Sequence, residues 1–384
     1  MSQNITLNFS SNLSYCELYQ PKNPYCGIFG PGEIIEVIFL SLCSVVGSVG
    51  NCMVIFSIIL EKVVHQRGNM FIINLAVADL IVTGSFLPTV IGNVIRTENI
   101  LPPERSPACQ FAGYIVTVTC ACSVCNLALI ALNRYWAVVR SFSYKRVFRK
   151  RNVYLMVVFA WAWPNLITSP TLFGWSSLLY DYKMAQCGWD DKISIAYNIG
   201  LMGCAIFLPL VVIVFCYIKL YKSVKERGKW LRSLGSPRVN LSNSTQQQRQ
   251  LKKEINLIKT LAVTVVFFVF CWTPYGLVVL FFAKTVPPRV KKTAARLGLC
   301  NSVVNFIVYG VMNPVFRRGY KNLIVYICCC CRDRCVRILR EKNPEASPAR
   351  KNNIQLPVES NEKRSLNPPG QATRENSTNH LSKV

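Results

Sequence analysis

Apolar residues along this chain come in long blocks and not in alternation. Stretches with almost no charge recur at Ile34–Leu60, Asn69–Ile95, Phe111–Ala137, Val153–Phe173, Ile193–Tyr221, Glu254–Phe282 and Thr293–Met312. A helix needs about 20 apolar residues to cross a hydrocarbon core of about 30 Å. In lipid every backbone polar group must find its partner within the segment, so each block predicts a membrane-crossing helix. Together they predict an all-α membrane protein, a seven-transmembrane-helix bundle. Pro88, Pro170, Pro209 and Pro274 fall inside blocks, a placement that membrane helices tolerate.

Composition agrees. Only 16% of the 384 residues are charged and the mean hydropathy is +0.29, against about 25% charged residues in soluble globular proteins. The net charge of +26 brings nucleic acid to mind, but the basic residues lie between apolar blocks and read as membrane flanks, so no nucleic-acid partner is expected. The two histidines, His65 and His380, lie outside the blocks, which excludes a histidine-based metal or hydrolase centre within the membrane.

Lys and Arg set the orientation. The segments 61–68, 138–152 and 222–253 hold 17 of them, against 10 in 1–33, 96–108, 176–192 and 283–296. The richer set is expected in the cytoplasm, with the N-terminus outside. Asn4, Asn8 and Asn12 each open an N-x-Ser/Thr sequon ahead of the first span, and glycosylation there requires the same orientation. The first 33 residues lack the basic start and small-residue cleavage site of a signal peptide, so span one is expected to serve as its own targeting signal.

Cysteines sort by compartment. Cys109, at the outer end of span three, and Cys187, in the loop after span four, are placed to tie that loop across the bundle mouth. Cys16 and Cys26 are placed to close a small N-terminal loop, although connectivity cannot be read from sequence. Cys328, Cys329, Cys330 and Cys331 follow span seven on the inner side, where S-palmitoylation is favoured over a metal site.

Ionisable groups inside a bilayer are expensive and by default functional. Asp79 stands in the middle of span two, in Leu75-Ala76-Val77-Ala78-Asp79, and a lone carboxylate there needs a counter-charge, a cation or a proton. Asn51 follows Gly50 in span one, and Arg134 lies near the inner end of span three in Asn133-Arg134-Tyr135. Asn301, Ser302 and Asn305 lie on span seven, with Asn301 and Asn305 on one face.

These residues carry a resemblance. With Cys109 placed 25 residues before Arg134, Trp161 in span four, and Pro209 followed by Tyr217, they resemble the rhodopsin-like (class A) G-protein-coupled receptors over roughly residues 34–335. Phe268-x-x-Cys271-Trp272-Thr273-Pro274 and Asn305-x-x-x-Tyr309 complete the set. Phe316-Arg317-Arg318 then opens a short amphipathic eighth helix in that family. Two departures, Asn133 for the usual acid and Phe306 for the usual proline, together with the run Asn301–Tyr320, look like the melatonin-receptor group and its invertebrate orphan relatives. The division implied is a glycosylated extracellular N-terminus (1–33), the seven-helix domain (34–312), an amphipathic helix with a palmitoylated cysteine cluster (313–335) and a disordered cytoplasmic tail (336–384).

The resemblance implies a receptor and not an enzyme, with heterotrimeric G protein and arrestin as inner partners and membrane lipids around it. It implies a disulfide between Cys109 and Cys187, and an activation toggle of Phe268, Trp272 and Pro274. Asp79, Ser123, Asn301, Ser302 and Asn305 would hold an allosteric sodium ion, with no other cofactor. Asn133, Arg134, Tyr135, Tyr217, Glu254 and Tyr309 form the expected G-protein coupling switch. In particular, Glu254 is placed by family geometry to pair with Arg134, or else faces water. Amine receptors of this class carry an aspartate where Val116 stands here, so no monoamine ligand is expected.

The expected pocket comprises Val116, Thr117, Cys120, Asn198, Leu201, Met202, Tyr275, Val279 and Leu299. Lys284, Arg289, Lys291, Lys292 and Arg296 gather at its mouth with no acid between them. They are either solvated or headgroup-facing charges, or a basic rim that steers an acidic head. The expected extracellular ligand is therefore a small molecule, apolar and lipid-like or acidic. A small neutral ligand of the melatonin kind is the alternative. A channel or transporter would need a continuous polar path through the spans, and a membrane enzyme clustered His, Ser or carboxylates; the blocks offer neither.

Overall fold

The computed structural model describes residues 30–60, 68–95, 106–181, 183–233, 241–282 and 285–330, with the side chains of 230–254 and 327–330 left aside. The predicted glycosylation sites Asn4, Asn8 and Asn12, the pair Cys16 and Cys26, and the tail from Cys331 on lie outside the described residues. The chain to Cys328 forms one compact unit; of the second, Cys329–Val384, only the end of a helix falls within the described residues.

All seven predicted spans are helices long and apolar enough to cross a membrane. They are α1 (Pro31–Leu60), α2 (Asn69–Ile95), α3 (Pro107–Val138), α5 (Lys150–Thr168), α6 (Ile195–Met202, continuing as Leu208–Ser233), α7 (Leu241–Phe281) and α8 (Pro288–Met312). A short α4 (Ser141–Val147) follows α3, and α9 (Pro314–Cys330) follows α8 where the amphipathic helix is expected.

The helix ends differ from expectation for local reasons. Ser106 caps α3, its hydroxyl accepting from the Cys109 N–H at 3.2 Å with Pro107 behind it, so that helix starts before its first apolar residue. The start of α7 moves back from Glu254 to Leu241 because the intervening Gln, Lys, Arg and Leu are good helix formers. Lys291 and Lys292 join α8 instead of the loop, since acidic partners meet them there.

Prolines mark two widened turns. Pro88 and Pro209 would each clash with the carbonyl four residues earlier, of Gly84 and Ala205. Both carbonyls lie in π-helical turns, Val82–Phe86 in α2 and Gly203–Phe207 in α6, which make the room. Pro170 instead starts a 3-10 segment, Ser169–Phe173, that ends span four.

At the centre stands α3, with 78% of its most apolar window buried, against 22% for span four. Asn74 ties it to its neighbours: the Asn74 amide donates to Asn126 on α3 and accepts from the Trp161 indole on α5, both at 2.9 Å. Phe71, Leu75, Ile130, Ile213 and Phe268 fill the core of the inner half. Outward, Ile35, Val158, Val211 and Phe270 stand exposed as a lipid-facing surface does. The loop after span four holds an element the apolar pattern does not announce. β1 (Leu178–Asp181) and β2 (Gln186–Trp189) pair antiparallel, Tyr180 opposite Cys187, as a hairpin.

Candidate functional site

Beneath that hairpin lies a cavity of about 240 Å³. Its floor and walls are apolar: Phe86, Val116, Cys120, Leu201, Met202, Trp272, Tyr275 and Leu299 among them, with Thr117. Seven of the nine predicted pocket residues therefore line it. Asn198 and Val279 do not. Asn198 is buried against the lid, donating to the Asp191 carbonyl at 2.6 Å and accepting from the Trp189 indole at 3.2 Å. Val279 packs instead with Met184, Ala294 and Ala295.

The hairpin is fastened at three places. Cys109 and Cys187 form a disulfide that pins β2 to the outer end of α3. Gly113 lets the hairpin come this close, because a Cβ there would meet the Gly188 backbone nitrogen at 3.0 Å. On the other side, Lys291 of α8 binds Asp191 at 2.8 Å and lies 3.9 Å from Asp181. Beside it, Arg296 gives Nε to Glu36 of α1 at 2.9 Å, Nη2 to the Met184 carbonyl at 2.5 Å and Nη1 to Gln186. Lys292 reaches the other Glu36 oxygen at 2.5 Å.

This overturns the expectation of a free basic rim. Arg296 and Lys291 are 5% and 8% exposed and engaged by acids. Arg289 is exposed and Lys284 lies outside the described residues. The acids come from α1, from the hairpin and from the segment just after it, far from α8 in sequence, which is why the segment itself shows none.

At the cavity wall, Trp272 packs against Phe268 and Tyr275, with ring centroids 6.3 and 6.2 Å apart. Gly298 faces it from α8, where a Cβ would stand 3.3 Å from the indole. Deeper still, Asp79 is fully buried. Its carboxylate accepts from Asn305 Nδ2 at 2.7 Å and Ser123 Oγ at 3.3 Å, with Ser302 as a further donor. Donors thus come to Asp79 from α3 and α8. Two amide oxygens of the same predicted set, Asn301 Oδ1 and Asn305 Oδ1, are buried with no hydrogen-bond partner among the described residues.

At the inner end, Arg134 lies within electrostatic reach of the hydroxyls of Tyr144, Tyr217 and Tyr309. Of the predicted switch residues Tyr217 and Tyr309 lie near it, together with Tyr144 of α4. Asn133 is buried and donates to the Tyr144 hydroxyl at 3.2 Å. Tyr135 packs by ring contact on Trp136 and Phe215. The side chain of Glu254 lies outside the described residues. Tyr309 stacks on Phe316 of α9, with centroids 5.2 Å apart, and the Tyr320 hydroxyl donates to the Phe306 carbonyl at 3.2 Å.

Comparison with known proteins decides what this arrangement belongs to. The family model described as 7 transmembrane receptor (rhodopsin family) matches residues 50–309. The chain belongs to that family. Among curated proteins, this receptor is 29% identical to melatonin receptor type 1A-A of Danio rerio over 76% of its own length and 81% of that protein. It is 27% identical to melanopsin of Homo sapiens, over 72% of this chain and 59% of the other. The crystal structure of squid rhodopsin superimposes with a TM-score of 0.68 at 25% identity, covering 81% of this chain and 91% of that one.

The receptor is thus a multi-pass G-protein-coupled receptor of the plasma membrane and not an enzyme. Heterotrimeric G protein and a small-molecule ligand are its partners. Sequence reasoning missed Glu36, Asp191, Gln186 and Tyr144. No periodicity links Glu36 to an arginine 260 positions away, and Tyr144 looks like an ordinary loop aromatic.

Proposed function

We propose that this receptor answers a small, uncharged, mainly apolar extracellular ligand that sits under the hairpin. The observation that carries this reading is the pairing of charges at the cavity mouth. Lys291 is neutralised by Asp191 and Asp181, while Arg296 and Lys292 share Glu36. The charges lining the cavity also balance, Asp181, Asp190 and Asp191 against Lys183, Lys192 and Lys291, so neither sign is favoured. At the buried pair a cationic ligand would have to take an acid from Lys291, and an acidic one would have to take Lys291 from its acids. Either exchange leaves a buried charge without its partner, which costs several kcal/mol. A neutral molecule keeps both clusters and gains from apolar walls that already surround it.

Ligand contact with Trp272 and Tyr275 biases the Pro274-bearing α7 toward the state that receives the G protein. Each partner stabilises the state it binds better. Arg134, Tyr217 and Tyr309 serve at the inner end of that change. The orphaned amide oxygens around Asp79 fit a hard monovalent cation, which takes oxygen donors and supplies the counter-charge a buried carboxylate needs. Asp79, Ser123, Asn301, Ser302 and Asn305 are the residues that would hold sodium, and sodium would favour the resting state. The N-terminus with Asn4, Asn8 and Asn12 is assigned outside, and the cysteines from Cys328 to Cys331 to palmitoylation beside the inner leaflet. The tail carries arrestin recruitment.

The test is a ligand screen with a promiscuous G-protein reporter, in which neutral apolar compounds are matched with their acid and amine derivatives. Activation by the neutral members supports the reading. A potent monoamine or carboxylate with inactive neutral counterparts defeats it. Asp79→Asn should abolish any sodium dependence of basal signalling.

A further inference from the structure

Whether a neutral ligand carries a polar group is a question that one side chain of the hairpin answers. Gln186 opens β2 and lines the cavity. Its amide has an acceptor end and a donor end of nearly the same shape, so its neighbours decide which end faces where. The neighbour here is Arg296, whose guanidinium has donors and no acceptor. Arg296 is buried and cannot swing aside, because Glu36 holds its Nε at 2.9 Å and the Met184 carbonyl takes Nη2 at 2.5 Å. The remaining Nη1 donates to Gln186 Oε1. Only the oxygen can accept that bond, so the amide is locked with Oε1 toward Arg296 and Nε2 turned away.

Among the described residues nothing accepts from Gln186 Nε2, yet Nε2 is not one of the walled-in unpaired atoms. Two other polar side chains at the cavity are occupied: the Thr117 hydroxyl donates to the Gly113 carbonyl at 2.8 Å, and Lys291 is bound to Asp191. We infer that Gln186 Nε2 is the recognition point for a hydrogen-bond acceptor on the ligand, which is therefore an uncharged, largely apolar molecule bearing a carbonyl or ether oxygen. Arg296 is the positioning residue that fixes this donor. A ligand carboxylate also accepts hydrogen bonds, but it would meet Asp181, Asp190 and Asp191 as well as Lys183, Lys192 and Lys291, which line the same cavity, and a neutral acceptor avoids that repulsion.

This inference rests on the neutral-ligand reading, and the experiment separates the two. Gln186→Glu keeps an oxygen for Arg296 at the same reach and removes both N–H donors. Gln186→Met removes both ends and serves as a second variant. The full-length receptor in lipid nanodiscs is titrated by saturation-transfer NMR, with empty nanodiscs subtracted, against 2-acetylnaphthalene and 2-isopropenylnaphthalene, which differ only as C=O and C=CH2. Naphthalene-2-carboxylate and 2-naphthylmethylammonium are the charged members of the set. Wild type should prefer the ketone about threefold to tenfold, the discrimination of one net hydrogen bond. Both variants should lose that preference while still binding the hydrocarbon. Equal binding of the two neutral probes by wild type, binding of none, or a ketone preference that survives in Gln186→Glu and Gln186→Met would overturn the inference. Binding confined to a charged probe would instead bring down the neutral-ligand reading beneath it.

Discussion

At Asn133 an amide stands beside Arg134, the arginine proposed to meet the G protein, and its hydrogen bond runs to Tyr144 at 3.2 Å. An acid there would hold Arg134 by charge, and hydrogen bonds to charged groups are worth about 1.5–3 kcal/mol against about 1 for neutral ones. Asn133→Asp should therefore lower ligand-free nucleotide exchange on purified G protein by about threefold to tenfold. If Glu254 restrains Arg134 from α7, Glu254→Ala should raise the same readout. Unchanged basal exchange in both would show that neither charge matters to the resting state. A second residue-scale expectation concerns Gly50, where a Cβ would collide with the Phe306 ring. Gly50→Ala should cost roughly 1–3 kcal/mol of overpacking, read as a lower thermal midpoint, and adding Phe306→Ala should recover part of it. The sequence shows Gly50 and the unusual Phe306 as separate oddities; only the fold makes them one contact between α1 and α8.

Among the elements, the helices were legible and the hairpin was not. A block of some 20 uncharged residues has one outcome in lipid, so seven blocks specify seven helices without reference to one another. Even the π turns leave a sign, since each lies just ahead of a proline. β1 and β2 are four residues each, too short for an alternation to be read in 176–192. Their pairing depends on the disulfide to α3 and on the room at Gly113, both supplied from elsewhere in the chain. Cys187→Ser should therefore loosen the hairpin, lowering surface expression and the thermal midpoint of what is made. Mass spectrometry of non-reduced peptides should find neither Cys109 nor Cys187 as a free thiol. Recovery of either in the free form would contradict the fastening.

Across the whole molecule, the least legible feature is the meeting of charges. Lys291, Lys292 and Arg296 read from their own segment as a free basic cluster, and their partners Glu36, Asp181 and Asp191 read as scattered loop and helix-end acids. Seven helices closing into a ring bring α1 beside α8 and the hairpin against α8, and only that closure cancels the charge. Glu36→Gln should weaken the hold on Arg296 and leave Lys292 with a neutral neighbour. It should speed both association and dissociation of a labelled neutral ligand, by more than it changes the equilibrium affinity. A change in affinity with unaltered rates would speak against this role. The cover would thus govern time. A molecule seated under the hairpin would depart as the hairpin's contacts to α8 part, so how long the cell keeps registering a stimulus after the stimulus has gone would be set by the cover and not by the grip of the walls.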